Sequence, residues 1–446
     1  MNIPSVYVLV INWNGMEHLQ VCFESLQKTT YENAFFVLVD NDSNDDSVKY
    51  VEENFRTDKR VSVLKAPENL GWSKGNNFGI EWALDQGADY VLLWNNDTWT
   101  HKDAIANLVE SAEKDGEIGA LSPKLLMFET PNILNSLGIE LSTIGSSWDL
   151  GIGRRDSDQW KGPREILGVC GAAMFLRSST LKITGLLPDD YEIYLDDLDL
   201  CLRIWNAGFS IQSCPSAVVY HKFSATTGEG EWARKKYFLN TRNRLKIIQR
   251  FFPLHSFPNV AFRFVLGEAR AIGRSAATGE FWKISAHLRS WGGGIIDIPK
   301  SIGLRKKYKS LGLVPYRFWR FVRKDKMFFE GTVFPKSGFY PKNDLGENPI
   351  CDVAWWDHDG GEMCLSIINP MPEKGRMKVE VLHQANLILD EEIETEIVKN
   401  FTLEYGSMTV ISKTLYLKED TGLLFDIGAY IKVTPLRDPH EQTETI

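Results

Sequence analysis

Two polar clusters that contain carboxylates, each next to an apolar segment, are the residues of this sequence best suited to chemistry. The first follows the apolar run Val91–Leu93, where Asn95, Asn96 and Asp97 come in succession. Such a run is typical of a buried parallel strand, and open α/β sheets bind ligands beyond the carboxyl ends of their strands. A carboxylate there can help to hold magnesium or manganese against a diphosphate. A simple β-turn is the alternative, because Asn and Asp favour turns for local reasons.

The second cluster contains Asp196, Asp197 and Asp199 within four positions. Apolar residues recur behind it at helical spacing: Leu198, Cys201, Leu202 and Trp205. The spacing places Asp196 and Asp197 at a helix N-terminus, where the helix dipole is expected to lower their pKa. Capping alone is the alternative interpretation, but three acids exceed what capping needs. We therefore expect one of them to act as a general base toward an alcohol.

Apolar runs and helical segments alternate over roughly the first 100 residues. The apolar runs lie at 6–11, 35–39, 61–64 and 91–94, and a segment with helical periodicity separates each run from the next. Alternation of this kind predicts a mostly parallel sheet with helices on both faces.

Polar groups gather where these predicted strands end. Asp40 ends the second strand, Asp97 follows the fourth, and a loop rich in Gly and Asn, Asn69–Asn77, leads into the third helix. This pattern outlines a nucleotide site, because glycines and helix N-termini admit phosphate closely. The loop matches neither GxGxxG nor a Walker P-loop, which disfavours a dehydrogenase or an NTPase. A lone histidine is usually structural, but His221 also ends a predicted strand and is a further candidate ligand.

The charge of the chain is unevenly distributed. The net charge is −9, yet residues 242–326 carry 19 Lys plus Arg against 4 Asp plus Glu. Aromatic residues are interleaved with these cations, a composition suited to an anionic membrane surface. The alternative is a solvated helical face that packs on the catalytic domain. Nucleic acid is not an expected partner, because no known binding motif accompanies the charge.

Taken in order, seven segments resemble the family 2 nucleotide-sugar glycosyltransferases of the GT-A fold, closest to the bacterial rhamnosyltransferase-like branch. The segments are Val10–Asn14, Val39–Ser47, Asn69–Ile80, Leu92–Thr98, Tyr194–Arg203, Ala217–His221 and Tyr237–Arg244. The resemblance implies nucleotide binding by Asn12, Asp40, Asn41, Asn69, Gly71, Gly75, Asn76 and Asn96.

The resemblance also implies a metal and a mechanism. Asp97 is the one carboxylate kept from a DxD motif, and Asp97 with His221 would hold Mn²⁺ or Mg²⁺. Asp197 would be the general base of an inverting, single-displacement transfer, with Asp196 replacing the Glu of the family's Glu-Asp pair. The donor would be a UDP- or dTDP-linked sugar and the acceptor a glycan or a lipid-linked glycan. The QxxRW motif of processive synthases is absent, so addition of one sugar is expected.

Three domains are expected: a GT-A domain over 1–250, a basic helical segment over 251–336 that could associate with a membrane, and a β-sandwich accessory domain over 337–446. Short alternating segments from Met363 onward indicate the sandwich. The six cysteines show no CxxC pair and are expected to be buried thiols. No signal peptide and no spanning segment are visible, so a cytoplasmic location is expected, with peripheral attachment to the inner face of the cytoplasmic membrane as a further expectation.

Two rival functions stay open at this point. A nucleotidyltransferase would need a basic, glycine-rich loop after the first strand, which Asn12–Gly15 does not provide. A catalytically inactive carbohydrate-binding or scaffold protein would explain the reduced DxD motif, but not the intact acids at 196 and 197. The cell-surface polysaccharide pathways of bacteria are the expected setting for the enzyme.

Overall fold

The structure is a computed structural model with two compact units, Met1–Lys324 and Asp325–Ile446. It describes residues 3–128, 131, 134–152, 156, 158–222, 230–277, 281–310, 317–322, 348–349, 353–358, 361–369, 376–383, 386–403, 406–414 and 430–435. The described part of the basic helical segment falls within the first unit up to residue 324. The predicted three-part division of the chain stays a prediction.

The first unit combines one large sheet with helices. Its strands are β1 (Val6–Asn12), β2 (Ala34–Asp40), β3 (Val61–Lys65), β4 (Tyr90–Asn95), β5 (Thr98–Thr100), β6 (Ile118–Met127), β7 (Leu134–Ser136), β8 (Ile139–Leu141), β9 (Ser147–Asp149), β10 (Ala173–Arg177) and β11 (Ser210–His221). Its helices are α1 (Met16–Gln27), α2 (Ser47–Asn54), α3 (Gly71–Asp85), α4 (Ala104–Glu113), α5 (Ser178–Thr184), α6 (Asp196–Asn206), α7 (Gly230–Phe251), α8 (Phe257–Ala277), α9 (Phe281–Ile296) and α10 (Ile298–Ser310).

The large sheet has the order β3-β2-β1-β4-β10-β6-β11-β5, and β7 pairs with β6. Strands β1 to β4 pair in parallel, as does β11 with β6, whereas β10 and β5 run antiparallel to their neighbours. Alternate residues of β1 enter different cores: Val6, Val8 and Val10 one, and Leu9 and Ile11 the other. The sheet is therefore covered on both faces, and the predicted α/β fold is confirmed.

One local prediction was wrong. The stretch Asn69–Asn77 is not a loop throughout, because α3 begins at Gly71 and contains Gly75 and Asn76. Gly75 is needed for packing, since a Cβ there would lie 2.8 Å from the Cδ1 of Ile11. Its lack of a side chain therefore lets the helix approach β1, and it does not mark a turn.

The second unit contains two four-stranded antiparallel sheets, β12-β19-β14-β17 and β13-β18-β15-β16. The strands are β12 (Asn348–Pro349), β13 (Val353–His358), β14 (Gly361–Ile368), β15 (Met377–His383), β16 (Asn386–Ile393), β17 (Glu396–Leu403), β18 (Gly406–Thr414) and β19 (Tyr430–Pro435). Buried residues of β14 and β15, one strand from each sheet, share one apolar core. The predicted β-sandwich module is confirmed. Parts of the predicted accessory domain over 337–446 lie outside the described residues.

Candidate active site

The ends of β1 and β2 and the start of α3 are joined by a network of amides. The side chain of Asn41 accepts a hydrogen bond from the Leu70 N–H (2.9 Å) and donates to Asn69 Oδ1 (3.0 Å) and to the Gly71 carbonyl (3.2 Å). Asn69 Oδ1 also accepts from the Gly71 N–H at 2.9 Å. Gly71 has φ +76°, a conformation that favours glycine. Asn41 and Asn69 therefore shape the entry into α3 through bonds within the protein.

Asp40 is the polar group at this rim that is best prepared for a ligand. Its side chain is buried, and Oδ2 accepts from the Ser43 N–H at 3.3 Å. Its Oδ1 has no hydrogen-bond partner among the described residues. A buried acceptor without a partner is costly, so a ligand hydroxyl or N–H would relieve a real deficit.

Asn12 connects Asp40 to the other side of the rim. It accepts a hydrogen bond from Asn96 Nδ2 at 2.7 Å and donates to Ser43 Oγ at 3.1 Å. Asn76, in contrast, is almost fully buried inside α3 and donates to the Trp72 carbonyl at 3.0 Å. Asn12 and Asn96 thus lie at the rim itself, whereas Asn76 supports it from within the helix.

The structure brings together the two residues predicted to hold a metal. Strand β5 pairs with the end of β11, so that His221 lies opposite Thr98 and next to the preceding Asp97. His221 Nε2 is 3.2 Å from Asp97 Oδ1, and its Nδ1 is 2.8 Å from Asn135 Oδ1. Burial alone would raise the pKa of Asp97, but the neighbouring His221 outweighs it and the net pKa lies below the usual value.

This pair fits a divalent cation. Two ligand atoms about 2.1 Å from one ion and at right angles to each other are about 3.0 Å apart, close to the observed separation. Among the described residues no group of three or more metal-binding side chains occurs. Asp97 and His221 would therefore need oxygens from a ligand, such as a diphosphate, to complete a coordination shell.

The acid pair lies at the start of α6, as the sequence predicted. Asp196 is buried and accepts a hydrogen bond from Ser73 Oγ at 2.5 Å. Asp197 is half-buried and accepts from the N–H groups of Gly171 (3.0 Å) and Leu198 (2.7 Å). Asp197 is thus the more accessible carboxylate, and Asp196 ties α6 to α3.

The predicted direction of the pKa shift was wrong. Burial raises the pKa of both Asp196 and Asp197, and the charge of Asp196 raises that of Asp197 further. These effects exceed the stabilisation that hydrogen bonds and the helix N-terminus provide. A carboxylate whose pKa is raised toward neutrality is a stronger base, which suits proton abstraction from an alcohol.

Sequence reasoning missed Gly171, which lies close to both Trp72 and Asp197. A Cβ at Gly171 would lie 2.7 Å from Cη2 of Trp72 and 3.5 Å from Oδ2 of Asp197. The Trp72 indole N–H in turn lies 3.4 Å from Asn95 Oδ1, at the end of β4. Trp72 thus reaches Asn95 of the first cluster and packs against Gly171, whose N–H bonds Asp197 of the second, and a side chain at 171 would displace Trp72.

Sequence reasoning also missed the function of Asn243, although the segment Tyr237–Arg244 carries part of the resemblance to the family. Asn243 Nδ2 lies 3.1, 3.0 and 2.9 Å from the carbonyl oxygens of Tyr191, Ile193 and Tyr194. The loop that carries these carbonyls contains Glu192, Tyr194 and Leu195 with φ of +69°, +70° and +65°. Helix α7 thus holds a left-handed loop immediately before the acid pair.

A mostly parallel sheet with a polar rim at its carboxyl ends, an Asp–His pair and an acid pair at a helix start fit a glycosyltransferase domain of the GT-A fold. Residues 7–184 match the family model for Glycosyl transferase family 2. The match lies within the first unit and supports a family 2 glycosyltransferase as the class of this protein.

The curated relatives are distant. An uncharacterized glycosyltransferase of Haemophilus influenzae is 25% identical over 174 residues, which are 39% of this chain and 49% of the relative. The probable glycosyltransferase YdaM of Bacillus subtilis is 24% identical over 260 residues, 56% of this chain and 59% of the relative. The N-acetylglucosaminyl-diphospho-decaprenol L-rhamnosyltransferase of Mycobacterium tuberculosis is 25% identical over 239 residues, which are 50% of this chain and 77% of the relative. The chain spans about half the length of the first two relatives.

Two solved structures are similar at low sequence identity. GalNAc-T7 with UDP, GalNAc and Mn²⁺ gives a TM-score of 0.49 at 15% identity, over 81% of this chain and 60% of that chain. S. aureus TarS 1–349 gives a TM-score of 0.43 at 16% identity, over 78% of this chain and 96% of that chain.

Proposed function

We propose that this protein transfers one sugar from a nucleoside diphosphate sugar to a hydroxyl group of a glycan or lipid-linked acceptor, with inversion at the anomeric carbon. The observation that carries the proposal is the pair Asp196 and Asp197 at the start of α6, held by Ser73 Oγ and by the N–H groups of Gly171 and Leu198. The pair lies in the same unit as the rim that holds Asp40 and the Asp97–His221 pair. The family match supports glycosyl transfer as the reaction class.

The proposed reaction is a single displacement. The acceptor oxygen attacks the anomeric carbon while the bond from that carbon to the diphosphate breaks, and the acceptor proton passes to Asp197. The N–H groups of Gly171 and Leu198 orient the Asp197 carboxylate, and Ser73 holds Asp196 beside it. Attack opposite the leaving group inverts the anomeric configuration, and the nucleoside diphosphate is released.

We assign the donor to the rim of β1, β2 and β4. Asp40, whose Oδ1 has no partner among the described residues, is proposed to accept hydrogen bonds from the nucleoside. Asp97 and His221 would hold Mn²⁺ or Mg²⁺, which would neutralise charge on the departing diphosphate. A UDP- or dTDP-linked sugar is the proposed donor, with rhamnose as the first candidate because of the mycobacterial relative's name.

A lipid-linked acceptor would place the enzyme at a membrane surface, and helices α8 to α10 fit such a surface. They expose large apolar side chains, among them Phe262 (69%), Phe281 (66%) and Ile296 (79%), and α10 adds exposed Lys306 and Lys309. Apolar residues with nearby cations are typical of helices that lie on anionic membranes. Among the described residues, no helix is long and apolar enough to cross a bilayer.

We therefore propose peripheral attachment to the inner face of the cytoplasmic membrane. Flotation with liposomes tests this attachment, and we expect binding to vesicles that contain anionic lipid and little to neutral ones. Equal binding to anionic and to neutral vesicles would contradict the proposed attachment.

The variant Asp197→Asn tests the catalytic proposal. We expect turnover to fall by at least about 100-fold, because general bases contribute about that much, while nucleotide affinity persists. The matched control Asp85→Asn alters an exposed residue at the end of α3 and should leave turnover unchanged. Wild-type turnover in Asp197→Asn would refute its function as base, and retention of anomeric configuration in the product, measured by NMR, would refute the inverting mechanism.

A further inference from the structure

A cavity of about 490 Å³ lies against α7 and α9, beside the left-handed loop that precedes the acid pair. Glu192 of that loop lines the cavity. The Glu192 carbonyl oxygen lies 4.0 Å from the position that a Cβ on Gly71 would occupy. Glu192 therefore lies between the cavity and Gly71, where α3 begins.

The cavity carries surplus positive charge. Arg234, Lys235 and Arg289 line it, and among the described residues of its lining Glu192 is the one acidic side chain. Glu192 is already neutralised, because it lies 3.4 Å from Lys235 and 3.1 Å from Arg242. In the part of the chain that the structure describes, Arg234 and Arg289 form no ion pair with a carboxylate.

Both arginines are held by aromatic rings instead. The Arg234 guanidinium lies 5.6 Å from the ring centre of Trp282, and that of Arg289 lies 5.4 Å from the ring centre of Phe238. Stacking of this kind orients a guanidinium but leaves its N–H donors available. The cavity thus combines two oriented cationic groups with two aromatic surfaces.

This combination is suited to a ligand with a phosphoryl group joined to an apolar or sugar moiety. Guanidinium groups bind phosphate oxygens through paired, charge-assisted hydrogen bonds. Aromatic side chains offer contact area to an apolar chain or to the face of a sugar. A free inorganic anion would use the charges but not the rings.

We propose that this cavity binds the phosphoryl group of the acceptor, with Arg234 and Arg289 as its ligands and with Trp282 and Phe238 against the adjoining organic moiety. The inference rests on the proposed function. It adds that the acceptor carries an anionic group and that this group binds next to the loop that precedes Asp197. It assigns acceptor recognition to α7 and α9, which lie beyond the family-matched residues 7–184.

Calorimetric titration of the full chain with geranyl phosphate tests the inference. The donor site is first saturated with magnesium and a nucleoside diphosphate, so that the probe cannot bind there. Inorganic phosphate and geraniol are titrated in parallel. The variants are Arg234→Gln, Arg289→Gln and the double substitution, with Arg263→Gln as a matched control, since Arg263 of α8 bonds Asn259 of its own helix.

We expect geranyl phosphate to bind more tightly than inorganic phosphate, and geraniol weakest. Each arginine variant should weaken geranyl phosphate binding about tenfold, with nucleotide affinity unchanged, because a charge-assisted bond is lost. Arg263→Gln should bind like the wild type.

Equal binding by the double variant and the wild type would overturn the inference, as would absence of geranyl phosphate binding in a protein that binds nucleotide. Equal binding of inorganic and geranyl phosphate would overturn the assignment of the aromatic rings. Failure of the wild type to bind any nucleotide would instead refute the proposed function.

Discussion

Replacement of Asn243 by alanine should separate catalysis from donor binding. The Asn243 amide reaches three carbonyls of the loop from Tyr191 to Leu195, and α6 with its acid pair follows that loop directly. Alanine removes both N–H donors and leaves the fold of α7 otherwise intact. The amides that shape the nucleotide rim, Asn41 and Asn69, lie elsewhere in the chain and keep their contacts.

The magnitude follows from the loop geometry. Three non-glycine residues of the loop have positive φ, and each costs about 1–2 kcal/mol relative to ordinary backbone. The two N–H donors of the Asn243 amide serve three carbonyls, of which the Tyr191 carbonyl also accepts from Arg242 Nη2 at 3.0 Å. These bonds offset about 2–4 kcal/mol of that cost. If the loop relaxes to that extent, the fraction of enzyme with a correctly placed Asp197 falls about 30- to 1,000-fold. We expect kcat to fall accordingly.

The assay measures release of nucleoside diphosphate from a UDP- or dTDP-linked sugar in the presence of a polyprenyl diphosphate-linked sugar acceptor. Nucleotide affinity is measured by calorimetry on the same preparations, and circular dichroism reports folding. Asn240→Ala is the matched control, since Asn240 lies on the same helix and bonds none of the three carbonyls. A folded Asn243→Ala variant with wild-type kcat would refute the reasoning, and so would a loss of nucleotide affinity as large as the loss of kcat.

Two further predictions concern packing and pH. Gly171→Ala should displace Trp72 and lower turnover at least tenfold, and overpacking should cost about 1–3 kcal/mol of stability. The control Gly116→Ala, at a position open to solvent, should change neither turnover nor stability. Wild-type turnover of Gly171→Ala in the same assay would contradict this prediction. Burial would raise the pKa of Glu268, but His287 and Arg244 outweigh it and hold that pKa at about 2. The contribution of ionised Glu268 to the stability of the fold is therefore present above the unfolded-state pKa near 4.3 and is lost as the pH falls toward 2. Glu268→Gln should reduce the difference in unfolding free energy between pH 6 and pH 2 by about 2–3 kcal/mol in urea titrations, and an unchanged difference would contradict this origin.

Much of the placement of the candidate residues could be predicted from the sequence, because strand ends carry positional meaning. An apolar run followed by Asp40 or Asp97 indicates a parallel strand that ends at the ligand edge of a sheet. His221 ends a strand of the same sheet, so its approach to Asp97 follows from strand order. Helical spacing behind Asp196 was sufficient to place the acid pair at a helix start.

What could not be predicted depends on contacts distant in sequence. The direction of the Asp197 pKa shift follows from its burial, which no local pattern reveals. Gly75 was assigned to a loop because glycine content usually indicates one, whereas its close approach to Ile11 is a tertiary requirement. Asn243 acts on carbonyls about 50 residues earlier in the chain, so its function emerges only when α7 is placed beside that loop.

Calorimetric titration of UDP, dTDP and GDP, with and without Mn²⁺ or Mg²⁺, tests the central claim most directly. We predict that one pyrimidine nucleoside diphosphate binds only when metal is present, and that Asp97→Ala abolishes this binding whereas Asp85→Ala does not. The absence of binding by every nucleotide under all conditions would contradict a donor site at this rim. Metal-dependent binding that survives Asp97→Ala would contradict the assignment of the metal to Asp97 and His221.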